Sequence, residues 1–158
     1  MLKRINNAEM NENEFWKIID MFEWKHAGDD DKVLEKAIKY LAKKSDEDIY
    51  RFDDILSKML FDLDGKEYAK NIGKSAYINE DTYFSPDIFL YSRCVVVATG
   101  REFYYEVLNN PKSMPEDTDF EALLYIVEEA FELKNDEEYD YSPTFDYETY
   151  SNQSKWED

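Results

Sequence analysis

The sequence predicts an all-α protein: a single compact domain of about five to six helices with an aromatic, acidic C-terminal segment docked on it. Three observations lead there. Apolar residues recur at helical spacing through successive blocks of the chain. No stretch alternates apolar and polar residues convincingly enough for a half-buried strand. The composition changes once, at Asn135, where carboxylates and aromatic rings take over. The expected divisions are an N-terminal extension over residues 1–9, a helical domain over 10–134 and the acidic aromatic segment over 135–158. At 158 residues the chain is long enough for one real core, and 43% hydrophobic residues are well above what a disordered chain carries.

The first helix is expected from Asn13 to Lys25, where Phe15, Ile18, Ile19 and Phe22 form one stripe and Glu14, Lys17 and Asp20 occupy the other face. Gly28 breaks it, and the aspartates that follow suit the positive end of a new helix. That second helix runs to about Lys44 with Val33, Leu34, Ala37, Ile38 and Leu41 inward and Lys43 and Lys44 at its C-terminal end. Ser45 is placed to cap a third helix, with Asp48 three residues on to answer it. The third stripe, Ile49, Phe52, Ile55, Leu56, Met59, Leu60 and Leu63, stops at "DLDG".

From Lys66 to Asn79 a weaker pattern of Tyr68, Ala69, Ile72, Ala76 and Tyr77 fits a further helix. Ser85 followed by Pro86 reads as a cap and a first helical position. "CVVVA" alone would suggest a strand, but the apolar register continues to Leu108, past the single Gly100, and ends before Pro111. A helix with valines buried on more than one side is therefore expected. The last helix is expected from about Thr118 to Lys134, with Phe120, Leu123, Leu124, Val127, Ala130, Phe131 and Leu133 inward. Tyr104, Tyr105, Tyr125 and Phe131 are expected in the core or at its rim.

Charge is the strongest compositional fact. With 37 acidic and 19 basic residues the chain carries −18, so it would repel a phosphate backbone, and binding to nucleic acid or to an anionic membrane is not expected. A basic protein partner is favoured, because long-range fields steer association. Residues 135–158 hold eight acidic residues against Lys155 alone, so the rest of the chain is acidic as well. Cys94 has no disulfide partner, no apolar run approaches a membrane span and the first residues lack a signal-peptide core, so a cytoplasmic location is expected.

Candidate chemistry is sparse. "KNIGKS" ends like a phosphate-binding loop, but Tyr68 stands where the pattern needs its first glycine. Aligning Gly65 of "DLDGKE" with the sixth position of a calcium loop puts Leu60 first and Asn71 twelfth, so the ligand set fails. His26 is the only histidine, and Cys94 sits among apolar neighbours that argue for an inert thiol. Neighbouring carboxylates such as Asp53 with Asp54, or Glu128 with Glu129, diverge by about 100° round a helix and read as a solvated face. No catalytic residue, metal ligand or cofactor is expected. Three of the four arginines, Arg51, Arg93 and Arg101, lie near apolar stripes. They would line an anion pocket if left unpaired, or form ion pairs with neighbouring carboxylates.

The order "EFWKIID", "LAKKSDEDIYRFDDIL", "YSRCVVVATGREFYYEVLNNPKSM" and "FEALLYIVEEAFELK" resembles the bacterial domain of unknown function 4240 family over roughly residues 10 to 150. The resemblance implies a small helical domain opening with a Phe-Trp helix, here Phe15 and Trp16, and carrying Arg-Glu after a glycine, here Gly100, Arg101 and Glu102. It brings no activity with it. Where the family often has an Arg-Gly-Trp stretch, this chain has Arg93, Cys94 and Val95. The family's aromatic, proline-containing ending implies that "YDYSPTFDYETY" folds back with its rings as anchors and its carboxylates wet.

The functional expectation is a non-enzymatic acidic binding protein that engages a basic partner, in the manner of immunity proteins that neutralise nuclease-type toxins. Glu137, Glu138, Tyr139, Asp140, Tyr141, Asp146 and Tyr147 are the candidate contacts. The alternatives are a small ligand-binding domain or enzyme with a pocket of Arg51, Arg93 and Arg101, or a regulatory accessory domain.

Overall fold

A computed structural model describes residues 9–157, so the expected N-terminal extension lies, apart from Glu9, outside the described residues. The all-α expectation holds: the described residues form seven α-helices and one two-stranded hairpin. The chain divides into two compact units, Met1–Leu56 with Leu124–Pro143, and Ser57–Leu123 with Thr144–Asp158.

In the first unit, α1 (Glu12–Ile19) starts where the Asn11 side chain accepts a hydrogen bond from the Glu14 amide at 2.9 Å. It ends earlier than the stripe suggests. Phe22 is still buried, but from Trp24 to His26 the chain makes a 3-10 turn, and the Glu23 amide bonds across to the Val33 carbonyl. Asp29 then caps α2 (Asp30–Ala42), which packs against α7 (Ile126–Asn135). Ser45 caps α3 (Asp46–Asp62), its hydroxyl accepting from the Asp48 amide at 3.1 Å. The Asp48 carboxylate does not return the cap; it accepts from the Met10 amide and from Arg51, each at 3.3 Å. The core of this unit includes Phe15, Ile18, Leu34, Leu41, Ile49, Phe52, Ile126 and Ala130.

Three expectations for the regular elements are corrected. The span 66–79 is not one helix: α4 covers only Lys66–Ala69, Gly73 takes φ +100°, and Tyr77–Asn79 (β1) pairs antiparallel with Tyr83–Phe84 (β2). Ile72 and Ala76 are buried as the pattern implied, but by an irregular turn. The long segment ending at Pro111 is two helices, α5 (Pro86–Thr99) and α6 (Arg101–Asn109), parted by Gly100 at φ 127°, a conformation that side chains rarely adopt. Finally, Glu121–Tyr125 is a 3-10 turn before α7, not its first turns; Tyr125, expected in the core or at its rim, and Leu133, expected inward, are both exposed. In α5 the expectation holds: Ser85 caps it, and Cys94, Val96, Val97 and Ala98 are all buried.

From Tyr139 to Tyr150 the chain is irregular, with bends at 144–145 and 148 and a turn at 149–150, and burial alternates residue by residue. Tyr139, Tyr141, Pro143, Phe145, Tyr147 and Thr149 turn inward, while Asp140, Ser142, Thr144, Asp146 and Glu148 face solvent. The segment is thus docked. Its first part belongs to the first unit and its second part, from Thr144, to the second.

Candidate functional site

The acidic end of the first unit is built on α7. Lys134, the only cation of its last turn, reaches Asp46 at 2.7 Å, and Asn135 joins the same carboxylate at 3.0 Å. Those bonds draw Asp46 below the usual carboxylate range, and they spend the lysine on the helix's own neighbour. Asp136 then takes the left-handed conformation that ends the helix, at φ 54°. Past it, Glu132, Asp136, Glu137 and Glu138 line a shallow, open depression of about 450 Å³. Leu133, on the same helix, is 60% exposed. Further back along α7, burial first, and then Asp31, Glu128 and Glu132, push Glu129 above its ordinary value.

The structure brings Glu137 and Glu138 together with Glu132 and Asp136, which the sequence reading did not single out. Leu133 was missed because its angle round α7 places it in the apolar stripe; periodicity gives the angle but not whether a neighbour reaches that far along the axis. Asp140 is exposed nearby in the chain, and Asp146 is exposed in the second unit with Oδ1 accepting from the Glu148 amide.

The tyrosines help to dock the segment, as the folded-back expectation had it. Tyr139 donates to Asp53 at 2.6 Å, and Tyr141 donates to both oxygens of Asp54 at 3.0 and 2.8 Å while stacking on Tyr50. Asp53 and Asp54 are therefore not a purely solvated helix face; Asp53 is buried, and both serve as acceptors for the docked segment. Tyr147 offers its backbone carbonyl to Arg93 at 3.0 Å.

The three arginines do not share one role. Arg51 is exposed and paired with Asp48 in the first unit, and Arg101 is exposed at the start of α6. Arg93 is wholly buried: Nη1 donates to the carbonyls of Leu60 and Tyr147, Nη2 donates to Thr149 Oγ1, and the guanidinium lies 4.5 Å from the Phe89 ring. Burial pulls it down to about 10, against the pull of Asp64.

Burial pushes the Cys94 thiol up to about 12, and His26 is half-buried in its turn. In "KNIGKS", Ser75 donates to Asp117 at 2.5 Å, which places a carboxylate where a phosphate would have to sit. Lys70 and Lys74 instead border an open groove of about 540 Å³ with Tyr77, Ile78 and Asn79. Among the described residues no three His, Cys, Asp or Glu side chains are grouped to hold a metal ion, and no helix is long and apolar enough to cross a membrane.

An all-α chain of this kind, with an acidic exposed helix end, is what the fold and the site define. The family model described as "Protein of unknown function (DUF4240)" matches residues 10–133, and the chain belongs to that family. No curated protein and no solved structure matches it.

Proposed function

We propose that this protein is a non-enzymatic acidic binding protein that engages a basic protein partner, and that it acts as an immunity protein does, by neutralising a cationic toxin of the nuclease type. One observation carries the reading: four carboxylates at the end of α7 line an open depression, and the lysine of the same helix turn is already committed to Asp46. A cluster of like charges round an open depression is a favourable arrangement for a partner that supplies lysines or arginines. The charge of −18 supports it by steering encounter over a range of about 8 Å at physiological salt.

The contacts are Glu132, Leu133, Asp136, Glu137 and Glu138, with Asp140 following in the chain. Tyr139 and Tyr141 act behind them, holding the segment in place. The test is capture from a lysate of the native host at roughly 0.05 M and 0.3 M salt, with the wild-type chain and with Glu132→Lys/Glu137→Lys. A basic nuclease retained at low salt, lost at high salt, lost by the double variant and inhibited at one equivalent is the expected result. Capture indifferent to both salt and charge reversal overturns the reading.

A further inference from the structure

In the second unit a buried cation and a buried anion are each bonded to residues 147–156 and not to one another. Arg93 donates to the Tyr147 carbonyl and to Thr149 Oγ1, and only its bond to the Leu60 carbonyl comes from elsewhere. Asp64, fully buried, accepts from the amides of Tyr150 and Asn152 at 3.2 and 2.9 Å and from the Trp156 indole at 2.9 Å. Lifting the segment away strips both charges of most of their bonds, which a core tolerates only if water replaces them. Water could reach Arg93 only beside Phe89, which is itself wholly buried and 4.5 Å from the guanidinium. Hydrating the charge therefore means wetting the core.

The segment also finishes the surrounding elements. Asn152 Nδ2 donates to the Phe61 carbonyl at 3.0 Å and Lys155 Nζ to the Asp62 carbonyl, so the last turn of α3 has acceptors that are satisfied from the far end of the sequence. Phe145 sits on Phe61 at 5.0 Å, and Trp156 lies against Phe84 and Phe89 at 5.8 and 5.9 Å. Tyr150 takes φ 82°, a conformation that a non-glycine residue keeps only where its surroundings over-determine it. The contacts thus reach α3, β2 and α5, all inside the second unit.

We propose that residues 144–157 are a latch that gates closure of the second unit: the rest of the unit holds no closed form until they are seated, and it opens as a whole when they leave. Clipping of the chain beyond Pro143, or synthesis that has not yet reached Trp156, is thereby felt by every element of the unit. The latch lies beyond the family match over residues 10–133, so that stretch alone does not suffice to close the unit. The inference uses the second unit alone and does not depend on the acidic end of α7.

Native-state hydrogen exchange on the intact wild-type chain tests this without a variant. The amides of Tyr150 and Asn152, which donate to Asp64, report the latch, and those of Cys94, Val96 and Val97, buried in α5, report the rest of the unit. A latch that gates closure gives the two sets protection factors equal within about tenfold, because both meet solvent only when the whole unit opens. Trp156→Phe removes one bond to Asp64 while keeping a ring, and should accelerate both sets by a common factor of about five or more. Exchange at Tyr150 and Asn152 more than about tenfold faster than in α5, or an acceleration by Trp156→Phe confined to those two amides, overturns the proposal. Either result would describe a segment that peels from a unit already closed.

Discussion

Tyr139 donates its phenolic proton to Oδ2 of Asp53 at 2.6 Å, across 86 residues of sequence, while its ring meets Phe131 edge-on at 5.2 Å. One residue of the C-terminal segment thus satisfies a buried carboxylate of α3 and covers the apolar face of α7. Tyr139→Phe keeps the ring and removes the donor. It should cost about 1–3 kcal/mol, read from the urea midpoint at constant m-value. The wild-type chain should also resist chymotrypsin after Tyr139 and Tyr141, and the variant should be cut faster there.

The same contacts predict an alkaline limit to stability. Burial first, and then the hydrogen bond to Asp53, raises Tyr139; the hydrogen bond to Asp54 does the same for Tyr141. Both phenols stay protonated in the folded state above the ordinary tyrosine value of about 10, so their contribution is complete below that pH and is lost as pH rises towards the folded-state values. The urea midpoint should be level between about pH 7 and 9 and fall beyond about 10, with phenolate absorbance rising in step with unfolding. A midpoint that stays level to higher pH contradicts the docked geometry.

On the acid side the relevant pair is Glu14 and Lys44, both buried and 2.9 Å apart, with Tyr40 donating to the same Glu14 oxygen at 2.6 Å. Burial pushes Glu14 up, but the bonds from Tyr40 and Lys44 outweigh it and leave the carboxyl below its usual range. A depressed acid contributes stability above its unfolded value of about 4.3 and loses it as pH falls through the folded one. Lys44→Met should cost about 3–5 kcal/mol at neutral pH by leaving that carboxylate short of its cation. Because Lys44 helps to depress this carboxyl, the cost of the substitution should shrink as pH falls through the carboxylate range. Adding Glu14→Gln should recover much of the loss, which a double-mutant cycle measures.

Gly100 joins α5 to α6 at φ 127° and ψ 173°. Gly100→Ala should lower stability by roughly 1–3 kcal/mol, since a Cβ is strained in that region whatever space surrounds it. Calorimetry on the full chain checks this, and a neutral substitution would mean that the two helices are not parted in this way.

Helix class was legible because periodicity and caps are local. Ser45 and Ser85 cap the helices they were expected to cap, and the buried stripes of α2, α3 and α5 are the ones the spacing marks. The hairpin was not legible, since strands of three and two residues are too short to display alternation. Nor was the break at Gly100, where the same apolar register continues on both sides. At the candidate site, Glu137 and Glu138 stood out by composition, whereas Glu132, Leu133 and Asp136 did not.

What the amino-acid order determined by itself is the helical backbone, the negative exterior and the tendency of the C-terminal rings to be covered. Each follows from properties a residue carries with it: its angle on a helix, its charge, its apolar area. Tertiary structure decided which carboxylates receive the tyrosines, that Arg93 and Asp64 are enclosed without touching, and that Leu133 is left in solvent. Those outcomes depend on which distant segment arrives beside a side chain, and hydrogen bonds spanning more than 50 residues leave no periodic trace along the chain.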